Sequence, residues 1–135
     1  MKTNYAAVIV AAIVYWLLAA LWYGLIFSKQ WKALESAAGA HYQSPNLSNS
    51  VISYILGLLT AYILAQICAW RMANTAARGA AIGILLWIGF VGPVTLTTFM
   101  YEGRSLRLFA LDEFYPLFGL ALMGAILGAW KKKIA

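Results

Sequence analysis

The chain has 135 residues, 64% of them hydrophobic and only 10% charged, with 10 Lys and Arg against 4 Asp and Glu. A soluble domain is about 45–50% apolar and about 25% charged, so this chain lacks the polar groups to cover a surface facing water. Together with a mean hydropathy of +0.78, that excludes an ordinary soluble enzyme, a disordered tail and a nucleic-acid module, despite the net charge of +6.

Residues 3–28, 36–70, 79–101 and 114–130 carry no formal charge. A helix needs about 20 apolar residues to cross the hydrocarbon core, and the alternation of membrane strands is missing. These stretches predict an all-α fold: a single membrane domain over residues 1–135, with four transmembrane helices in an up-down bundle. The first helix is expected near residues 5–27. Its apolar run is longer than the core of a signal peptide, so it reads as a retained helix despite the Ala38-Gly39-Ala40 triplet downstream. Trp22 and Tyr23 are placed where amphipathic rings sit at headgroup level, whereas Trp16 lies deeper.

Residues 28–47 form the longest connection, an interfacial segment in which Trp31 and Leu34 dip into lipid and His41 is solvated. Ser48 or Ser50 is the expected N-cap of the second helix, near residues 51–70, which carries Gly57, Ala61, Ala65 and Ala69 at every fourth position and ends on Trp70. A short connection over residues 71–78 makes the second and third helices antiparallel neighbours.

The third helix, near residues 79–100, opens with a Gly79/Gly83 pair in GxxxG spacing. Pro93 removes a donor from the carbonyl of Gly89, so a kink is expected around Gly89 and Pro93. Thr95, Thr97 and Thr98 follow; they either line a small polar cavity or bond back to their own helix. After a polar turn through Glu102, Gly103 and Arg104, the fourth helix is expected near residues 112–130, with Gly124 and Gly128 in GxxxG spacing and Trp130 at its end. Residues 105–111 are apolar enough to belong to that helix. Asp112 and Glu113 would then lie one or two turns inside it, and an acid inside a membrane is a functional candidate.

Small residues at every fourth position let helix backbones approach closely in lipid. They serve the chain's own bundle first, and their number leaves faces for a homo-oligomer or a membrane-protein partner beside the lipid bilayer itself. Trp22-Tyr23-Gly24 and Trp87-Ile88-Gly89, with Ala69-Trp70-Arg71 and Ala129-Trp130-Lys131, suggest two helix-hairpin repeats. Lys2, Arg71, Arg78 and Lys131, Lys132 and Lys133 on one side outnumber Lys29, Lys32, Arg104 and Arg107 on the other, which predicts cytoplasmic termini.

With one Cys and one His, no Cys/His metal site, haem pair or intrachain disulfide is available, and no phosphate loop, nucleophile elbow or zincin motif occurs. No catalytic set, metal or cofactor is therefore expected. The candidate polar residues are Glu102, Arg104, Arg107, Asp112, Glu113 and Thr97, against the alternative that these charges are paired at the surface and contribute little.

Trp22-Tyr23-Gly24 with Phe27, Lys29 and Trp31, then residues 89–96, 101–106 and 123–130, resemble a bacterial membrane family called domain of unknown function 1761. The resemblance spans essentially the whole chain and implies a four-helix protein of the bacterial inner membrane, with no activity attached. Asp112-Glu113 stands where the resemblance leads one to expect an uncharged Asn-Ala pair. Three functions follow as expectations: a non-enzymatic structural or accessory bundle; an oligomeric transporter or channel using Asp112 or Glu113, with Arg104 or Arg107 as the partner of Asp112; and a lipid-modifying enzyme built on Glu102 with Arg104 or His41.

Overall fold

A computed structural model describes residues 4–22 and 47–130, together with Lys29 and Ala33; the side chain of Asn49 is not described. The expectations for Tyr23, Trp31, His41, the interfacial segment and Lys131–Lys133 lie outside the described residues. Everything regular among the described residues is helical. Helix α1 is Tyr5–Leu21, α2 is Leu47–Trp70, α3 is Ala76–Leu86, α4 is Gly92–Glu102 and α5 is Leu106–Ala129. A π-helical turn, Trp87–Val91, joins α3 to α4, so the two form one rod.

Ser50–Trp70, Ala76–Glu102 and Leu106–Ala129 are long and apolar enough to cross a membrane. The 17 residues of α1 stand at the lower limit of about 17–25 for a spanning helix. The fold is thus all-α, and the described residues 4–22 and 47–130 form four helical rods, three of them of membrane-spanning length.

Local chemistry sets the helix ends. Asn4 Oδ1 accepts from the Ala7 N–H, Thr75 Oγ1 from the Arg78 N–H and Ser105 Oγ from the Leu108 N–H, each supplying an acceptor to an otherwise unpaired first-turn donor. The cap at Ser105 corrects the expected start near residue 112: residues 106–111 are helix. Ser48 and Ser50, expected as caps, lie inside α2. At the other ends, Met72 (φ 54°) and Gly103 (φ 70°) take left-handed backbone. Ala73 N–H then reaches the Cys68 carbonyl and Arg104 N–H the Phe99 carbonyl, the six-to-one bonds of a Schellman stop.

Helix α5 packs against every other rod, most extensively against α3, while α2 and α3 touch little. The reason for the α3–α5 contact is sterically plain. A Cβ on Gly79 would overlap the Gly124 backbone, one on Gly83 the Leu120 carbonyl, and one on Gly128 the Thr75 carbonyl. The two GxxxG pairs read from the sequence therefore meet each other within one chain. Ala7, Ala11 and Ala12 of α1, Ala61, Leu64 and Cys68 of α2, and Leu120, Met123 and Leu127 of α5 form the shared core. Asn4 Nδ2 donates to the Trp130 carbonyl at 3.0 Å, which puts the start of α1 and the end of α5 at the same end of the bundle. Because α1 packs well on α5 but its counterpart pairing of α3 with α2 is slight, the two hairpins are not used equivalently.

Candidate functional site

Pro116 lies inside α5. Proline has no N–H for the carbonyl four residues back, and its ring crowds that turn; here the carbonyl is that of Asp112. On either side of it, two indoles from other rods donate to α5 carbonyls. Trp22 Nε1 bonds to the Leu111 carbonyl at 2.7 Å and Trp87 Nε1 to the Glu113 carbonyl at 2.7 Å. One turn on, the Tyr115 hydroxyl donates to the Tyr15 carbonyl at 2.9 Å. The proline break in α5 is thus held by three hydrogen bonds from or to its neighbours.

Aromatic packing surrounds these bonds. Tyr15 and Tyr115 stack with centroids 4.8 Å apart and planes 6° from parallel. Trp22 leans on Tyr115 at 6.5 Å and Phe118 at 5.7 Å, and Trp87 meets Phe114 edge-on at 5.8 Å. Two glycines make room: a Cβ on Gly119 would overlap the Tyr15 ring, and one on Gly92 would sit 3.0 Å from the Trp87 ring. The π turn lets the indole of Trp87 lie against Gly92, five residues on, while reaching across to α5. Such bulges often mark functional positions in helices.

Asp112 and Glu113 are half-buried at this break. The rise of about 1.5 Å per residue puts Asp112 about 9 Å beyond the first residue of α5. This answers the question the sequence left open: both acids are part of the long apolar helix. Arg104, a candidate partner for Asp112, instead pairs with Glu102 at 2.8 Å and lies 5.3 Å from the Phe99 ring centroid. Arg107 is exposed. Thr97 Oγ1 donates to the Pro93 carbonyl at 2.8 Å and Thr98 Oγ1 to that of Val94 at 3.3 Å. Thr97 and Thr98 thus bond back to their own helix. The expected kink takes the form of the π turn, with Gly89 inside it and Pro93 in the first turn of α4. Among the described residues, no three His, Cys, Asp or Glu side chains are grouped to hold a metal.

Trp22, expected as a headgroup anchor, is 9% exposed and faces α5, because its N–H finds an acceptor there. Trp70 and Trp130 remain exposed at the end of the bundle that carries Asn4. Of the small residues, Ala61 is fully buried and Ala65 packs at the edge of the core, while Gly57 has only a Tyr15 carbon at 3.6 Å from where its Cβ would be.

The model of the family described as Protein of unknown function (DUF1761) matches residues 6–128. The chain belongs to this family. No curated protein and no solved structure matches it. The match runs from the second residue of α1 to the penultimate residue of α5, so all four rods lie within the family's pattern.

Sequence reasoning did not single out Pro116, Gly119 or the Tyr15–Tyr115 pair. A usable signal existed for one of them: a mid-helix proline leaves the carbonyl four residues back without its donor, so Pro116 marks a break in its helix.

Proposed function

We propose that this protein is a non-enzymatic membrane bundle of a bacterial inner membrane, with both termini cytoplasmic, that self-associates or joins a larger membrane complex. The observation that carries this reading is the direction of the hydrogen bonds inside the apolar rods. Trp22, Trp87, Tyr115, Thr60, Thr97 and Thr98 all donate to backbone carbonyls of the chain itself. Groups used in this way hold helices in place, and among the described residues they are not gathered as free donors for a substrate. Because the GxxxG pairs of α3 and α5 engage each other, association would use the outer face of α2, where Ile52, Ile55, Leu59 and Ile63 are exposed.

Native mass spectrometry from lipid nanodiscs tests this directly. Dimers or larger assemblies that weaken in Ile55→Ser/Leu59→Ser support self-association, and a monomer at every protein concentration and lipid ratio refutes it. For orientation, a membrane-impermeant maleimide applied to spheroplasts should label Arg107→Cys and spare Asn74→Cys; the reverse pattern inverts the assignment.

One observation favours a second reading, a small transporter or channel: two half-buried carboxylates sit within an apolar helix of membrane-spanning length, where such groups commonly mark ion paths. Proton or cation flux in proteoliposomes that disappears in Asp112→Asn or Glu113→Gln would establish it. Flux equal to that of empty vesicles would remove it.

A further inference from the structure

Between α1 and α2 lies a groove of about 440 Å³, lined by Ala12, Tyr15, Trp16, Ala19, Ser53, Leu56, Gly57, Thr60 and Tyr115. Its existence is unexpected from the residues that face it. Small residues at a helix interface normally allow the two backbones to close together, as they do between α3 and α5, where a Cβ on Gly79, Gly83, Gly124 or Gly128 would overlap the opposing backbone. At Gly57 the opposing atom is a Tyr15 ring carbon 3.6 Å away from the Cβ position, an ordinary contact. Gly57 is therefore not small because a neighbouring backbone needs the space. The ring of Tyr15 stacks on Tyr115, lies over Gly119 and touches the Cβ position of Gly57, and the groove runs alongside it.

The polarity of the groove changes along its length. Ser53 stands three residues past Ser50, where the long apolar stretch of α2 begins, so it lies about 4–5 Å below that edge at the helical rise. Among the described residues the Ser53 hydroxyl has no hydrogen-bond partner. Thr60 is seven residues further on, about 10 Å deeper, and its hydroxyl is already bonded to the Leu56 carbonyl at 3.1 Å. The Tyr115 hydroxyl is likewise bonded to the Tyr15 carbonyl. A donor is thus open at the shallow end, whereas the deeper hydroxyls already have their protons committed.

We propose that this groove is a binding site for one acyl chain of an ester-linked phospholipid, with the chain against Trp16, Ala19 and Leu56 and its ester carbonyl accepting from Ser53. This rests on the membrane-spanning character of the helices and not on the assembly proposed above. The groove opens among exposed apolar side chains, Trp16 and Leu56, so in a bilayer its filler comes from the hydrocarbon. Its volume is within the about 300–1,000 Å³ of small-molecule sites. Open donor above, apolar walls below, is the order of an ester followed by its chain. A compact polar solute would find no free hydroxyl donor for its acceptors at the deep end.

The probe is phosphatidylcholine carrying a diazirine midway along one chain, incorporated into phosphatidylcholine vesicles with the full-length protein. After photolysis, labels resolved to single residues should concentrate on Trp16, Ala19, Ser53, Leu56 and Thr60, above the level on the open face at Ile52, Ile55 and Leu59. Gly57→Leu, which fills the groove, should reduce groove labelling to that of the open face while circular dichroism stays helical. Should Gly57→Leu fail to fold, Ser53→Trp, a change at an exposed position, blocks the shallow end in its place. Ser53→Ala should leave the chain bound but shift the label along α2. Even labelling of all exposed faces, or groove labelling unchanged in a folded blocking variant, overturns the proposal. Chain-to-chain cross-links through the groove would also overturn it, by showing a second copy there.

Discussion

Trp87 donates its indole N–H to the carbonyl of Glu113 at 2.7 Å, joining the π turn of one rod to the proline break of another. Each irregularity supplies what the other requires. The π turn brings the indole over Gly92, and Pro116 disturbs the turn of α5 whose carbonyls receive the bonds. Trp22 makes the matching bond to Leu111 from the opposite neighbour. A hydrogen bond of this kind contributes a net of about 0.5–1.5 kcal/mol, and measured interhelical bonds in membranes average about 0.6 kcal/mol.

Trp87→Phe keeps an aromatic ring against Phe114 and removes the donor. It should destabilise the bundle by about 1 kcal/mol, the net worth of one bond, measured by reversible unfolding in mixed micelles. Trp22→Phe should cost a similar amount. If neither changes the unfolding midpoint, the indole bonds do not contribute to stability.

Pro116→Ala restores an N–H to the carbonyl of Asp112 and allows α5 to straighten. The Leu111 and Glu113 carbonyls would then turn back into the helix and away from the indoles. The expected result is a changed near-ultraviolet circular dichroism with unchanged or higher helix content. Identical near-ultraviolet spectra would mean that the proline does not set the local geometry.

Alanine at the glycines should rank by what its Cβ meets. Gly79→Ala and Gly124→Ala push backbone against backbone and should cost about 1–3 kcal/mol or more. Gly119→Ala meets the side chain of Tyr15 instead of backbone, so its cost should be smaller. Gly57→Ala meets only an ordinary contact and should be neutral or stabilising, by up to about 1 kcal/mol of helix propensity. Thermal unfolding in one detergent reads the whole series.

The two left-handed stops make opposite predictions. Met72 holds φ 54° with a side chain, whereas Gly103 holds φ 70° without one. Left-handed backbone costs an L residue roughly 1–2 kcal/mol, so Met72→Gly should raise stability and Gly103→Ala should lower it, each by about 1 kcal/mol. Shifts of the unfolding midpoint in the same direction would contradict this account.

The number of helices, their approximate places and the GxxxG pairs of α3 and α5 were all legible in the residues. Charge-free runs and four-residue spacing are local properties, and lipid leaves a chain of this composition few structures other than helices. The start of α5 was ambiguous because residues 106–111 are apolar whether they cap a loop or open a helix; Ser105 decides it by accepting from Leu108. That Trp22 turns its ring onto α5 was not legible for a related reason. Amphipathic rings at helix ends suit the membrane interface and a protein carbonyl equally well, and spacing does not distinguish them.

The scarcity of charge by itself determined that this is a helical membrane protein, since too few polar groups exist to face water. Only the tertiary structure decided how the charges and glycines are used. It pairs Arg104 with Glu102, carries Asp112 and Glu113 two turns into a long helix, and turns the GxxxG pairs inward on each other. It also leaves Gly57 beside a groove. Those outcomes depend on which helix faces meet, and that is set by backbone overlap and by where indole donors find carbonyls, across separations of up to 89 residues along the chain.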